Sequence, residues 1–327
     1  MPNAKITVKD VGKKIISEYS FVLSFILLVI IAASVNKNFF TWTNISNIFV
    51  QSSMIGLIAM GMSMVISAGQ IDISVGSQVA FIGGFGILVL NYTRSVWVML
   101  AFCCAVGIAL GAINGLLVTK GGMPSMIATM AMQSACRSVI NHFGSGGPFT
   151  VDSELYESFR MLAVGGIEIG PSFKIPYLMI IFIVFVIIFD NIMRNTKLGK
   201  HVYAVGSNEV SARLSGINVD LVKTLTFVIT GLCGVAALIY ASRMTAVAAA
   251  SAGSAYEMDA IAAVAIGGTS MSGGRGKIVG TFAGVLMFKI ISNILTAADV
   301  STFLNGAISG AIIVIAVLLQ NFQNRKR

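Results

Sequence analysis

The segment Gly273-Gly274-Arg275-Gly276-Lys277-Ile278 carries the glycines and lysine of a phosphate-cradling loop, but not their spacing. Such a loop needs a glycine five residues before Gly276 and a serine or threonine after Lys277. Met271 and Ile278 occupy those places. Energy for any work must therefore come from another subunit or from an ion gradient. Two histidines, His142 and His201, read as interfacial residues rather than catalysts, because the expected topology places them on opposite sides of the membrane. Cys103, Cys104, Cys136 and Cys233 sit inside apolar stretches without metal-ligand spacing and read as small buried hydrophobes. No cofactor or metal site is expected. What remains is Asp72, Asp259 and Lys289, ionisable residues within apolar surroundings. Asp72 and Asp259 adjoin glycine-rich stretches. There a carboxylate either caps exposed N–H groups or serves a transport pathway or gate, and both readings stay open.

These residues act only where their elements place them. Hydrophobic residues make up 56% of the 327 and charged residues 11%, against about half and about a quarter in soluble domains. The apolar residues come in blocks of the roughly 20 residues that cross the hydrocarbon core as a helix. The spans read from the sequence are Phe21–Val35, Phe49–Ala68, Ile71–Leu90, Val96–Val118, Ser125–His142, Pro176–Met193, Thr224–Ser242, Met258–Met271, Ile278–Ala297 and Phe303–Gln320. The expected fold is an all-α polytopic membrane protein of about ten transmembrane helices, with one or two broken or re-entrant segments. Ile71–Leu90, which opens with Asp72, and the short Met258–Met271, with its Gly267-Gly268 pair, are the expected breaks. Phe21–Val35 lacks a small-residue cleavage site and reads as a retained signal-anchor helix. The expected organisation is a cytoplasmic segment over 1–20, one membrane domain over 21–320 and a basic tail over 321–327.

The net charge of +9 does not point to nucleic acid, because the basic residues lie between or outside the apolar runs. They gather at Lys5, Lys9, Lys13 and Lys14, at Arg194, Lys197, Lys200, Arg213 and Lys223, and at Arg325, Lys326 and Arg327. Lys and Arg mark cytoplasmic loops. Both termini and the 194–223 segment are therefore expected inside. The acidic stretch from Phe143 to Ile175, with Asp152, Glu154, Glu157 and Glu168, is expected outside. This arrangement separates His142 from His201 across the membrane.

Gly107, Gly111 and Gly115 recur every four residues, and Gly280 with Gly284 and Gly306 with Gly310 repeat the spacing. Four residues is about one helical turn, so each set lines one face and lets another backbone approach. A faint internal repeat is also suggested: Gly56-Leu57 precedes the Asp72 segment, and Gly231-Leu232 precedes the Asp259 segment. In the 194–223 segment, Ser207 or Asn208 caps a short helix, Glu209 suits its first turn and Gly216 stops it. The product is a two-turn helix over about 209–215. It is either a connector or an element that docks into a partner's groove. Leu214 and Val210 share one face of it, and Arg213 is placed to pair with acidic groups on a partner.

Three motifs then resemble one family. Gly199-Lys200-His201-Val202-Tyr203-Ala204-Val205-Gly206-Ser207-Asn208, running on to Ala212-Arg213-Leu214-Ser215-Gly216-Ile217, resembles the coupling loop of ribose-type ABC sugar permeases, the branch for ribose, xylose, arabinose and galactosides. Gly69-Gln70-Ile71-Asp72-Ile73-Ser74-Val75-Gly76-Ser77 is similar to that family's Gly-Gly-Ile-Asp-Leu-Ser-Val-Gly-Ser stretch, with Gln70 in place of the second glycine. Tyr256-Glu257-Met258-Asp259-Ala260-Ile261-Ala262-Ala263-Val264, then Gly267-Gly268-Thr269-Ser270 and Gly273-Gly274-Arg275-Gly276, resembles its C-terminal signature. The resemblance runs from about Asn44 to Leu319. It implies a non-enzymatic permease subunit in the bacterial cytoplasmic membrane. The expected partners are a second permease copy, an ABC ATPase that binds ATP and its magnesium, and a periplasmic or lipid-anchored binding protein that delivers a monosaccharide. It makes Glu209, Val210, Ala212, Arg213, Leu214, Ser215 and Gly216 the contact with the ATPase. It puts Gln70, Asp72, Ser74, Gly76, Asp259, Gly267, Gly268 and Thr269 in the translocation path or its gate. The alternatives are a related permease for nucleosides, autoinducer or branched-chain amino acids, and a secondary transporter that needs no ATPase.

Overall fold

The computed structural model describes residues 24–169, 173–248 and 251–301, with isolated positions between 304 and 314. The expected segments 1–20 and 321–327, most of Phe303–Gln320, and Gly306 lie outside the described residues. Long helices dominate: α1 (Ser24–Val35), α2 (Trp42–Ser67), α3 (Val75–Thr93), α4 (Val96–Thr119), α5 (Ser125–Phe143), α7 (Tyr177–Asn195), α10 (Val219–Cys233), α11 (Ala236–Met244) and α13 (Ile278–Ala297). Further helices fall between them: α6 (Tyr156–Val164), α8 (Lys197–Ser207), α9 (Glu209–Leu214) and α12 (Tyr256–Ile266), and these, like α11, are short. Among the described residues, six helices are long and apolar enough to cross a membrane: α2, α3, α4, α7, α10 with α11 taken together, and α13.

The all-α expectation needs one correction. Four three-residue strands occur, β1 (Pro148–Thr150), β2 (Gly166–Glu168), β3 (Lys174–Pro176) and β4 (Ala246–Ala248). β1 pairs antiparallel with β4, and β2 with β3. They form at one end of the bundle, where chain leaving the helices still needs partners for its N–H and C=O groups. Helix ends also move from their expected places. Thr41 caps α2 by accepting from Asn44 N, so the helix begins two turns before Phe49. Val219–Met244 is interrupted around Gly234, where Val235 N bonds Leu232 O at 3.0 Å and Ala237 N bonds Gly234 O at 2.8 Å. These i→i+3 bonds tighten the chain into a kink between α10 and α11.

The two ends of the bundle differ in chemistry. At one end, Arg94 pairs with Asp152 at 3.2 Å and Glu154 at 3.0 Å, and Trp42 stacks on Phe173 while donating to the Lys174 carbonyl at 2.8 Å. Tyr92 and Trp97 are strongly exposed at the same level, an arrangement that suits a membrane interface. At the other end, Lys120 pairs with Asp220 at 3.2 Å beside α8 and α9.

The glycine ladders find their partners. A Cβ built at Gly107 would come 2.4 Å from the Gly231 carbonyl oxygen, at Gly111 2.4 Å from that of Phe227, and at Gly115 2.7 Å from Thr224 Cα. α4 thus lies backbone to backbone on α10. Gly280 and Gly284 likewise face Gly267 and Ala263, seating α13 on α12. Lipid tails are as apolar as leucine, so close backbone packing supplies much of what holds such helices together. The suggested repeat has no common packing: Gly56 faces the Phe182 ring, whereas Gly231 faces Gly107.

Candidate functional site

Between α2 and α3 the chain is non-helical over 68–74, as the Asp72 segment led one to expect. Asp72 is fully buried and works as a cap: its Oδ1 accepts from Ser74 N at 2.9 Å and from Ser74 Oγ at 2.5 Å. Ser74 Oγ in turn accepts from Gln78 Nε2 at 2.7 Å and from Asn114 Nδ2 at 2.9 Å. Asn114 sits within the α4 glycine ladder, so that helix supplies both close packing and a polar hand. Two N–H groups of the break go to α5. Ile71 N donates to Ser125 Oγ at 3.2 Å, and Ile73 N to Thr129 Oγ1 at 3.1 Å. Gln70 is only part-buried, and its N–H bonds Val65 O at 3.0 Å.

The second break precedes α12. This helix has 11 residues, about 16 Å, roughly half the hydrocarbon thickness. The two breaks meet. A Cβ on Gly76 would lie 2.3 Å from the Gly253 carbonyl oxygen and 2.4 Å from Glu257 Oε2. Only hydrogen fits there. Asp259, in the first turn of α12, stands apart, with Lys289 and Tyr256 as electrostatic neighbours. Gly267 packs on Gly280, Gly268 turns the chain at φ +82° and Thr269 is buried.

The 194–223 segment forms two helices rather than one. Thr196 caps α8 by accepting from Gly199 N, and Asn208 caps α9 by accepting from Ser211 N at 2.9 Å. α9 ends as its sequence requires. Ile217 N bonds Ala212 O at 3.1 Å and Gly216 N bonds Arg213 O at 3.1 Å, with Gly216 at φ +81°. This is a Schellman termination. Val210 and Leu214 are 68% and 84% exposed, so α9 offers an uncovered apolar edge while Ala212 faces inward. Arg213 differs from expectation. It is held within the chain by Asp220 at 3.2 Å and Glu209 at 3.4 Å, and Glu209 also takes Lys223 at 2.7 Å. The Lys223 hydrogen bond, followed by that of Arg213, keeps the Glu209 carboxyl below its ordinary range.

α8 connects α9 to the end of α2, where the first break begins, and to the turn that follows α12. A Cβ on Gly206 would fall 1.9 Å from the Ser67 carbonyl oxygen and 2.6 Å from Gly274 N. Gly274 N itself donates to Ser67 O at 2.9 Å, and the Tyr203 hydroxyl donates to Gly276 O at 2.9 Å. Burial pushes the Tyr203 hydroxyl pKa up from its ordinary value. The end of α2, the end of α8 and the turn before α13 therefore meet at backbone contact.

Residues 44–317 match the family model described as the permease component of the branched-chain amino acid transport system. The chain belongs to this permease family. The permease is therefore a polytopic membrane transport protein. It is 34% identical over 323 residues to the ribose import permease protein RbsC of Haemophilus influenzae, covering 97% of each chain. It is 39% identical over 300 residues to RbsC of Bacillus subtilis, covering 91% of this chain and 90% of the relative. It is 30% identical over 315 residues to the L-arabinose transport system permease protein AraH of Escherichia coli, covering 96% and 93%. No solved structure matches the permease.

In this permease, Gln70, Asp72 and Ser74 lie in one continuous break, and Gly76, in the first turn of α3, packs against the start of α12. Gly267, Gly268 and Thr269 lie at the far end of α12 and frame the turn that reaches Gly206. Asn114, Gln78, Ser125, Thr129, Gln133, Arg137 and Glu257 belong to the same polar interior but are not among the residues expected from sequence. For Ser125, Thr129, Gln133 and Arg137 a signal was available: polar side chains recur every four residues in α5, a pattern lipid contact does not favour.

Proposed function

We propose that this permease is the membrane-spanning subunit of a bacterial ATP-driven importer that carries a monosaccharide. The observation that carries the reading is the end-to-end similarity to ribose and arabinose permeases. The geometry suits it: a capped short helix with an uncovered apolar edge follows α8, whose Gly206 packs on the end of α2 and on the turn between α12 and α13. In this reading α9, with Glu209, Val210, Ala212, Arg213, Leu214, Ser215 and Gly216, docks on the ATPase. ATP and magnesium are bound there. A second permease copy completes the pathway, and a binding protein delivers sugar to the end that carries α6. The segments around Gln70, Asp72, Ser74 and Gly76 and around Asp259, Gly267, Gly268 and Thr269 form the gate. The full chain crosses the inner membrane about ten times, counting α1, α5, α12 and the segment after 301, with both termini in the cytoplasm. A cargo of branched-chain amino acid is the second reading, favoured by the family description alone. Reconstitution with an ATPase and a sugar-binding protein tests the proposal. Labelled ribose or a related monosaccharide should enter vesicles only when ATP is supplied. Uptake by the permease alone would overturn the importer reading, and uptake of leucine instead of sugar would overturn the cargo.

A further inference from the structure

Four polar side chains of α5 stand four residues apart: Ser125, Thr129, Gln133 and Arg137. That spacing puts them in one row along the helix. Each is committed to one of the two broken segments. Ser125 and Thr129 accept from Ile71 N at 3.2 Å and Ile73 N at 3.1 Å. The Thr129 hydroxyl is oriented for this by donating to Ser125 O at 2.8 Å. Further along the row, Gln133 Nε2 donates to Glu257 Oε1 at 3.5 Å, and an Arg137 guanidinium N–H donates to Ala252 O at 2.8 Å. One half of the row holds the break before α3. The other half holds the turn that starts α12. Exposed Met126 and Met130 lie beside this row, and exposed Ile127 and Val139 lie across the helix from it.

Non-helical backbone at membrane depth must keep its hydrogen bonds within the protein. Neither segment can shift without carrying α5 along or losing those partners. The segments also touch at Gly76 and Gly253. We propose that α5 is a strut that ties the two broken segments into one moving unit, with Ser125, Thr129, Gln133 and Arg137 as positioning residues for translocation. The proposal rests on the transport reading above but not on the identity of the cargo.

The test uses the permease in complex with its ATPase, with the four native cysteines replaced. Single reporters, Ile71→Cys and Ser254→Cys, are alkylated with and without ATP. Residue 137 lies about 18 Å along the helix from Ser125, so a local disturbance there does not reach Ile71. Arg137→Met should nevertheless change the ATP-dependent labelling of the Ile71 reporter by about threefold or more. Thr129→Val should do the same to the Ser254 reporter. Arg137→Lys, which keeps a donor for Ala252 O, should restore the wild-type rate. Uptake by the Arg137→Met complex should lose maximal rate with KM unchanged. If each substitution moves only its neighbouring reporter, or moves neither, the strut does not exist. Gln133→Leu probes the same half of the row should Arg137→Met fail to assemble. An unsubstituted complex that takes up no sugar would undo the cargo assignment and leave the labelling result standing.

Discussion

At the residue scale, buried groups here have little latitude. Gly111 faces the Phe227 carbonyl oxygen and Val228 Cα, at 2.4 and 2.7 Å from a Cβ built there. Backbone cannot move aside as a flexible side chain can, so Gly111→Leu must separate α4 from α10. A cost of at least about 1–3 kcal/mol is expected, read as a lower yield of assembled protein. Normal assembly and transport would show that the α4–α10 contact is dispensable. Asp72 makes a subtler prediction. Asp72→Asn keeps an acceptor for Ser74 N and should transport at a rate close to wild type. Asp72→Leu strands that buried N–H at a cost of about 1–3 kcal/mol and should abolish uptake. Loss with Asn would instead assign the charge itself a role. The sequence made Asp72 conspicuous because an acid beside glycines is rare in an apolar run. It could not show that Asn114 reaches Ser74, because three-dimensional contact between α3 and α4 has no trace in spacing.

At the element scale, α9 was legible almost to the residue, because caps are local chemistry: Asn208 before it, Gly216 after it. α8 was missed as a separate helix because its role depends on contacts with Ser67 and Gly274, far away in the chain. Leu214→Asp should leave the permease folded, since the side chain is 84% exposed, while abolishing ATPase co-elution and sugar-stimulated hydrolysis. Wild-type coupling would rule α9 out as the docking element. Glu209 adds a pH dependence. Lys223 and Arg213 lower its folded pKa below the ordinary 4.5. Its contribution to holding α9 on α10 is therefore present above that value and fades as pH falls through the folded pKa. Amide hydrogen exchange in α9, corrected for its intrinsic pH dependence, should lose protection at acid pH, and Glu209→Gln should show the faster rate already at neutral pH. Equal rates in wild type and variant at neutral pH would show that these ion pairs do not hold α9.

At the scale of the whole molecule, charge and hydropathy found the long helices, and α13 matches its expected bounds, Ile278–Ala297. The strand pairs were not legible, since three-residue segments carry no periodicity. The ion pairs put residues 143–176 and 195–220 at opposite ends of the bundle. Thiol labelling of intact cells should therefore reach a cysteine at exposed Glu157 and not one at exposed Ser207. Labelling at Ser207 from outside would invert the topology. α12 carries a last consequence, for biosynthesis. A helix of 11 residues is too short to be released into lipid as it leaves the ribosome, because a span needs about 20. Its seat is made by Gly280 and Gly284, which are translated after it. The segment must wait at the insertion machinery, or at the bilayer surface, until α13 has been threaded. Maturation of this permease thus has a later helix seating an earlier segment, and a chain truncated before Gly280 should insert its earlier spans yet leave α12 without its closest backbone packing.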